Sequence, residues 1–111
     1  MRDGARIQAS IELVERIDTS LETGGRAADS LIATYLKSRR YIGSKDRREI
    51  QRHVYDVLRN RGLLFWALEN AGAALSARAM MAAKLVLLDG VSSSELEEMF
   101  TGGYAPEGLS L

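Results

Sequence analysis

Proline occurs once in this chain, at position 106, so nothing before it forbids helix. No stretch alternates apolar and polar residues over strand length, whereas several repeat apolar residues at three and four, the helical spacing. The first such segment, 4–21, lines up Ile7, Ile11, Val14, Ile17 and Leu21 and stops at Gly24-Gly25. A second, 27–39, presents Leu31, Ile32, Tyr35 and Leu36 before a break at Tyr41, Ile42 and Gly43. Ser44 is placed to cap a third helix running to about Asn60, with Asp46 in the first turn and Gly62 set to end or kink it. Residues 63–71 form a short fourth helix closed by Gly72. Ser76 caps a fifth, 77–89, which Gly90 stops. Ten of its residues 77–88 are apolar, and they fall on all sides, which predicts a helix surrounded by others. Ser92 with Glu95 forms a capping box that opens a last helix to about Phe100. The expectation is all-α: one bundle of five to six helices around the central apolar helix 77–89.

A chain of 111 residues makes one domain, and 46% apolar with 27% charged residues suits a globular one. Cysteine is absent, which excludes disulfides, thiolate metal sites and a thiol nucleophile. The opening MRDGARIQAS is too densely charged for a signal peptide, and the longest apolar run, 77–88, is broken by Arg78 and Lys84. A membrane span needs about twenty residues. A cytoplasmic protein with no membrane partner is expected.

Charge is where the chain departs from the ordinary. Residues 37–61, KSRRYIGSKDRREIQRHVYDVLRNR, hold nine of the fifteen lysines and arginines against three acids, in a protein whose net charge is zero. The flanks are correspondingly acidic. A separation of this kind sets up a directional field and draws polyanions to one side, which makes RNA the first partner to consider. Wound as a helix, the third segment gathers Ile50, Val54, Val57 and Leu58 on its core side. Lys45, Arg48, Arg52 and Arg59 gather on the opposite side, with Tyr55 at the margin. Arg39 and Arg40 before the helix, and Arg61 near its end, extend the patch, and Tyr41 beside them is a candidate for stacking on a base. The plain alternative is a solvated charged face, but the single sign and the arginine content favour phosphate or an acidic protein surface.

Other features carry less. Gly43-Ser44-Lys45 offers free N–H groups for a phosphate, with capping the weightier role for Ser44 and no P-loop pattern. His53, the one histidine, has no companion ligand and reads as a satisfied structural residue. Phe65, Trp66, Met80 and Met81 read as packing residues, with base stacking the lesser alternative for Trp66, and Glu95, Glu97 and Glu98 as acids favoured by a helix start. No paired carboxylates, nucleophile with base or cofactor loop can be assembled, so the chain alone is not expected to be an enzyme.

The run RRYIGSKDRREIQRHVYDVLRNRG, followed by KLVLLDGVSSSELEEMFTGGYAPEGLS, resembles the N-terminal domain of the Sun/Fmu-type RNA cytosine-5 methyltransferases, and MRDGARIQASIELVERI fits the same pattern. In that family the domain is a helical bundle similar to the antitermination factor NusB. It precedes an S-adenosylmethionine-binding Rossmann domain that carries the catalytic cysteines. The resemblance therefore implies residues 1–103 as a NusB-like RNA-binding domain and 104–111 as the start of a linker toward a catalytic domain absent from this chain. It implies rRNA and that catalytic domain as partners, no cofactor here, and S-adenosylmethionine for the missing part. No catalytic residue carries over, because the cysteine chemistry has no cysteine. The RNA-contact set is Arg39, Arg40, Tyr41, Lys45, Arg48, Arg52 and Arg59. Two alternatives stand beside it: a protein-interaction module whose basic stripe docks on an acidic surface, and a stand-alone antitermination-type factor.

Overall fold

A computed structural model of the chain describes residues 2–22 and 27–100, and its regular structure there is entirely helical. Six helices follow one another: α1 (Asp3–Glu22), α2 (Ala28–Lys37), α3 (Ser44–Arg59), α4 (Arg61–Asn70), α5 (Ala77–Leu87) and α6 (Ser93–Met99). The expected Gly24-Gly25 stop and the 104–111 linker lie outside the described residues.

Two helices share the centre. The apolar α5 packs on α1, α3, α4 and α6, as a helix without a polar face should. It is not covered throughout, because Val86, Leu87 and Leu88 at its end are exposed. The other hub is α1, which packs on α2, α3, α5 and α6. Its stripe Ile7, Ile11, Val14 and Ile17 is buried against Ile50, Val54 and Val57 of α3 and Met80, Met81 and Leu85 of α5. Leu21, expected on that stripe, is 63% exposed, since the stripe has run past its neighbours by the last turn. Phe100 closes the core behind α6, with the Arg78 guanidinium 5.5 Å from its ring centroid.

The helix ends show which local chemistry prevailed. Gly43, not Ser44, is the N-cap of α3: its carbonyl accepts the first intrahelical bond, from Arg47 N–H at 2.9 Å, and no side chain caps the helix. The break after α3 falls at Asn60, not Gly62. The Asn60 amide donates to the Asp56 carbonyl at 2.7 Å, competing with the ladder, and α4 restarts from the Asn60 carbonyl with Gly62 inside its first turn. Gly72, at φ +68°, ends α4 in a Schellman motif, Ala73 N–H bonding Leu68 O and Gly72 N–H bonding Glu69 O. Ser76 caps α5 through Ala79 N–H, and Ser92 and Glu95 make the reciprocal box that opens α6.

Polar ties bind the shell. Tyr35 donates to Glu12 at 2.9 Å, Arg6 to Asp46 at 2.7 Å, Tyr55 to Asp29, and Arg61 to Asp18. Burial, reinforced by the Glu12 carboxylate, pushes the Tyr35 phenol up to about 12, so it stays a donor throughout the working pH range. Among the described residues no helix is long and apolar enough to cross a membrane.

Candidate nucleic-acid interface

The connection between α2 and α3 is built more rigidly than its sequence suggests. Ile42 N–H bonds the Arg39 carbonyl at 3.1 Å, so residues 39–42 close a turn whose two central positions are Arg40 and Tyr41. Ile42 is buried and anchors the turn to the core. Arg47, one turn into α3, reaches back beneath it: Nε donates to the Ile42 carbonyl at 2.7 Å and Nη2 to the Arg39 carbonyl at 3.4 Å. A fork of donors on a planar group suits this clamp, which an ammonium would not reproduce. On the other side the Arg39 guanidinium lies 3.7 Å over the Tyr35 ring and bonds Ser38 Oγ at 2.9 Å. Arg40 is exposed, and Tyr41 stands at the tip with 76% of its surface in solvent.

Around this tip the charge is left uncompensated. Lys37, Arg40, Lys45 and Arg48 are all exposed and have no carboxylate partner among the described residues. The two acids nearest in sequence are occupied elsewhere, Asp46 by Arg6 at 2.7 Å and Glu49 by Arg52 at 2.9 Å. The Arg52 guanidinium beside Glu49 holds that carboxyl below its usual range. So the local acids do not screen the corner.

Farther along α3 the basic stripe is interrupted. Arg52 faces outward as the spacing predicted, but its guanidinium meets Glu49, Asp56 at 3.6 Å and Asp89 at 3.4 Å. Arg59, beyond it, is exposed and sits 5.3 Å over the Tyr55 ring. The seven expected contact residues thus divide. Arg40 and Tyr41 lie exposed on the turn and Lys45 and Arg48 on the first half of α3 just after it, Arg39 and Arg52 serve internal contacts, and Arg59 stands apart at the far end of α3. Lys37 joins the corner from the last turn of α2, a member that the α3 stripe did not include.

Behind Arg52 lies a feature missed in the sequence. Lys84, in the last turn of α5, has no solvent exposure and directs its ammonium at three groups: Asp89 at 2.6 Å, His53 Nδ1 at 2.7 Å and Asp56 at 3.2 Å. A buried ammonium without such partners would be costly. Because Nδ1 must accept from Nζ, His53 carries its proton on Nε2. Burial, with the Lys84 and Arg52 charges beside it, pushes His53 down to about 4, and it is neutral at physiological pH. It is the satisfied core histidine that its isolation in the sequence implied. A cleft of about 380 Å³ opens next to this network, mixing Arg6, Glu49, Arg52 and Asp89 with the apolar Leu85 and Met99. Its charges already neutralise one another, and among the described residues no group of three metal-ligating side chains exists.

Aromatic and apolar residues also sort by exposure. Met80 and Met81 are buried and Phe65 packs partly on the core, but Trp66 is 64% exposed, with Leu63 one turn before it on α4. Trp66 was expected to pack; α4 instead buries Leu64 and Leu68 against the core and turns Leu63 and Trp66 outward.

Compared with known proteins, the chain matches no family, no curated protein and no solved structure. Its surface must therefore carry the functional reading by itself: a pinned turn, an exposed aromatic ring and four uncompensated cations. Such a surface can hold a polyanion and stack on a flat ring.

Proposed function

We propose that this chain is a non-catalytic RNA-binding domain that grips phosphates with the α2–α3 corner. The observation that carries the reading is the set Lys37, Arg40, Lys45 and Arg48, exposed beside Tyr41 and without a carboxylate partner among the described residues while the neighbouring acids are bound elsewhere. Phosphate contacts position an RNA without reading its sequence, so specificity must come from RNA shape or from another domain. The resemblance to Sun/Fmu-type enzymes supports placing the domain as the substrate-positioning part of an S-adenosylmethionine-dependent rRNA cytosine-5 methyltransferase. Arg48→Glu combined with Lys45→Glu tests the corner, because neither side chain has a carboxylate partner to lose among the described residues. Anisotropy titrations with small-subunit rRNA hairpins should show affinity falling with salt at a log–log slope of about −3, four contacts at about 0.7 each. The folded double variant should lose that binding. A folded variant that binds as well as the parent refutes the reading.

A second reading, protein docking, is favoured by one observation: Leu63 and Trp66 form an exposed apolar pair on α4. Its signature would be an association that survives high salt and disappears in Trp66→Ser.

A further inference from the structure

We propose that the turn at residues 39–42 captures an unpaired nucleotide, its base stacked on Tyr41 and its flanking phosphates held by Arg40, Lys45 and Arg48. The proposal rests on the RNA-binding reading and specifies the form of RNA which that surface takes.

An exposed tyrosine alone says little, since scattered surface aromatics are normal. This one differs because everything beneath it is immobilised. The turn is closed by its own hydrogen bond, clamped at two carbonyls by Arg47, anchored by buried Ile42 and backed by the Arg39–Tyr35 stack. Yet none of these contacts uses the Tyr41 ring or the Arg40 guanidinium, and Tyr41 keeps 76% of its surface open. A ring held out from a pre-ordered backbone loses little freedom on binding, which is where flexible loops lose affinity.

The chemistry of the platform selects unpaired RNA. A tyrosine face needs the face of a base, and in an A-form duplex both faces of every base are already stacked and the major groove is too deep and narrow for side chains. Bulges, loops and single strands offer free faces. The cations are also distributed for this purpose. Arg40 adjoins Tyr41 within the turn, while Lys45 and Arg48 lie one turn apart on the exposed side of α3 just beyond it. Phosphates on both sides of a stacked base would each meet a cation. Every base presents a π face, so the site tolerates any base and takes its choice from RNA shape.

The test compares three labelled RNAs by fluorescence anisotropy at low and physiological salt: a short oligouridine, a hairpin with one bulged nucleotide, and a fully paired duplex of similar length. The parent protein, Tyr41→Phe and Tyr41→Ala are run together, with far-UV circular dichroism confirming the fold. The expected result is preference for the two unpaired RNAs, with Tyr41→Ala weakening both by about tenfold or more. Tyr41→Phe, which keeps the ring, should bind like the parent. The salt slope of Tyr41→Ala should stay unchanged, because the phosphate contacts remain. Tight binding of the duplex, or Tyr41→Ala binding oligouridine as the parent does, overturns the stacked nucleotide and leaves the RNA reading standing. No binding of any RNA at low salt overturns both.

Discussion

Lowering the pH should destabilise this protein before its carboxylates begin to protonate, and the loss should trace to His53. In the unfolded chain the imidazole titrates at its ordinary value of 6.5; in the fold it is pushed down to about 4 by burial and by the Lys84 and Arg52 charges. Between those values the unfolded state binds the extra proton, so stability rises with pH and is lost as pH falls from 6.5 toward 4. Integrated from about pH 7.5 to about pH 5, the loss is about 2 kcal/mol. Urea unfolding followed by far-UV circular dichroism at the two pH values measures it, with the slope on denaturant checked for constancy. The control is His53→Asn, whose side-chain oxygen can accept from Lys84 Nζ roughly where Nδ1 does, but which does not titrate. The variant should lack most of the pH-dependent loss. Equal losses in parent and variant would mean that His53 is not held neutral by the network, and the Nε2-protonated assignment would fall with it.

Two further outcomes are expected of the same structure. Lys84→Met keeps the methylene packing but leaves Asp56 and Asp89 without their ammonium; Arg52 at 3.6 and 3.4 Å softens the loss, so about 2 to 3 kcal/mol is expected in urea unfolding at neutral pH, and an unchanged midpoint would refute the buried network. Ser92→Ala breaks the capping box of a short helix and should cost about 1 kcal/mol, with amide exchange rising in α6 before the rest; protection unaltered there would show that the box is dispensable.

Much of the fold was legible because helix signals are local. The three-and-four spacing of Ile7, Ile11, Val14 and Ile17 and the Ser92–Glu95 pair depend on neighbours a few positions away, and each appears where the spacing put it. What eluded the sequence depends on distant partners. Lys84 looked like an interruption in an apolar helix. That it is buried emerges only once α3 brings Asp56 and His53 to it, although an ammonium inside a helix apolar on every side was a clue. Arg52 and Arg48 share a helical phase, but Arg52 has Glu49 and Asp56 at i,i+3 and i,i+4, a local difference that the charge stripe overlooked, and Asp89 after α5 adds a partner that only the fold supplies. Arg47 gave no signal at all, because it bonds backbone carbonyls, which every residue has. At the candidate site, then, composition located the charge, and local and tertiary pairing together decided which cations remain uncompensated.

The outward-facing Trp66 has a practical consequence for anyone following this protein by light. It is the chain's only tryptophan, and its indole already meets water in the folded state. Native emission should therefore sit close to that of the unfolded chain, and intrinsic fluorescence will be nearly blind to the collapse of the core. The same blindness makes it a clean reporter of something else: a blue shift at constant fold can arise only when another surface covers α4.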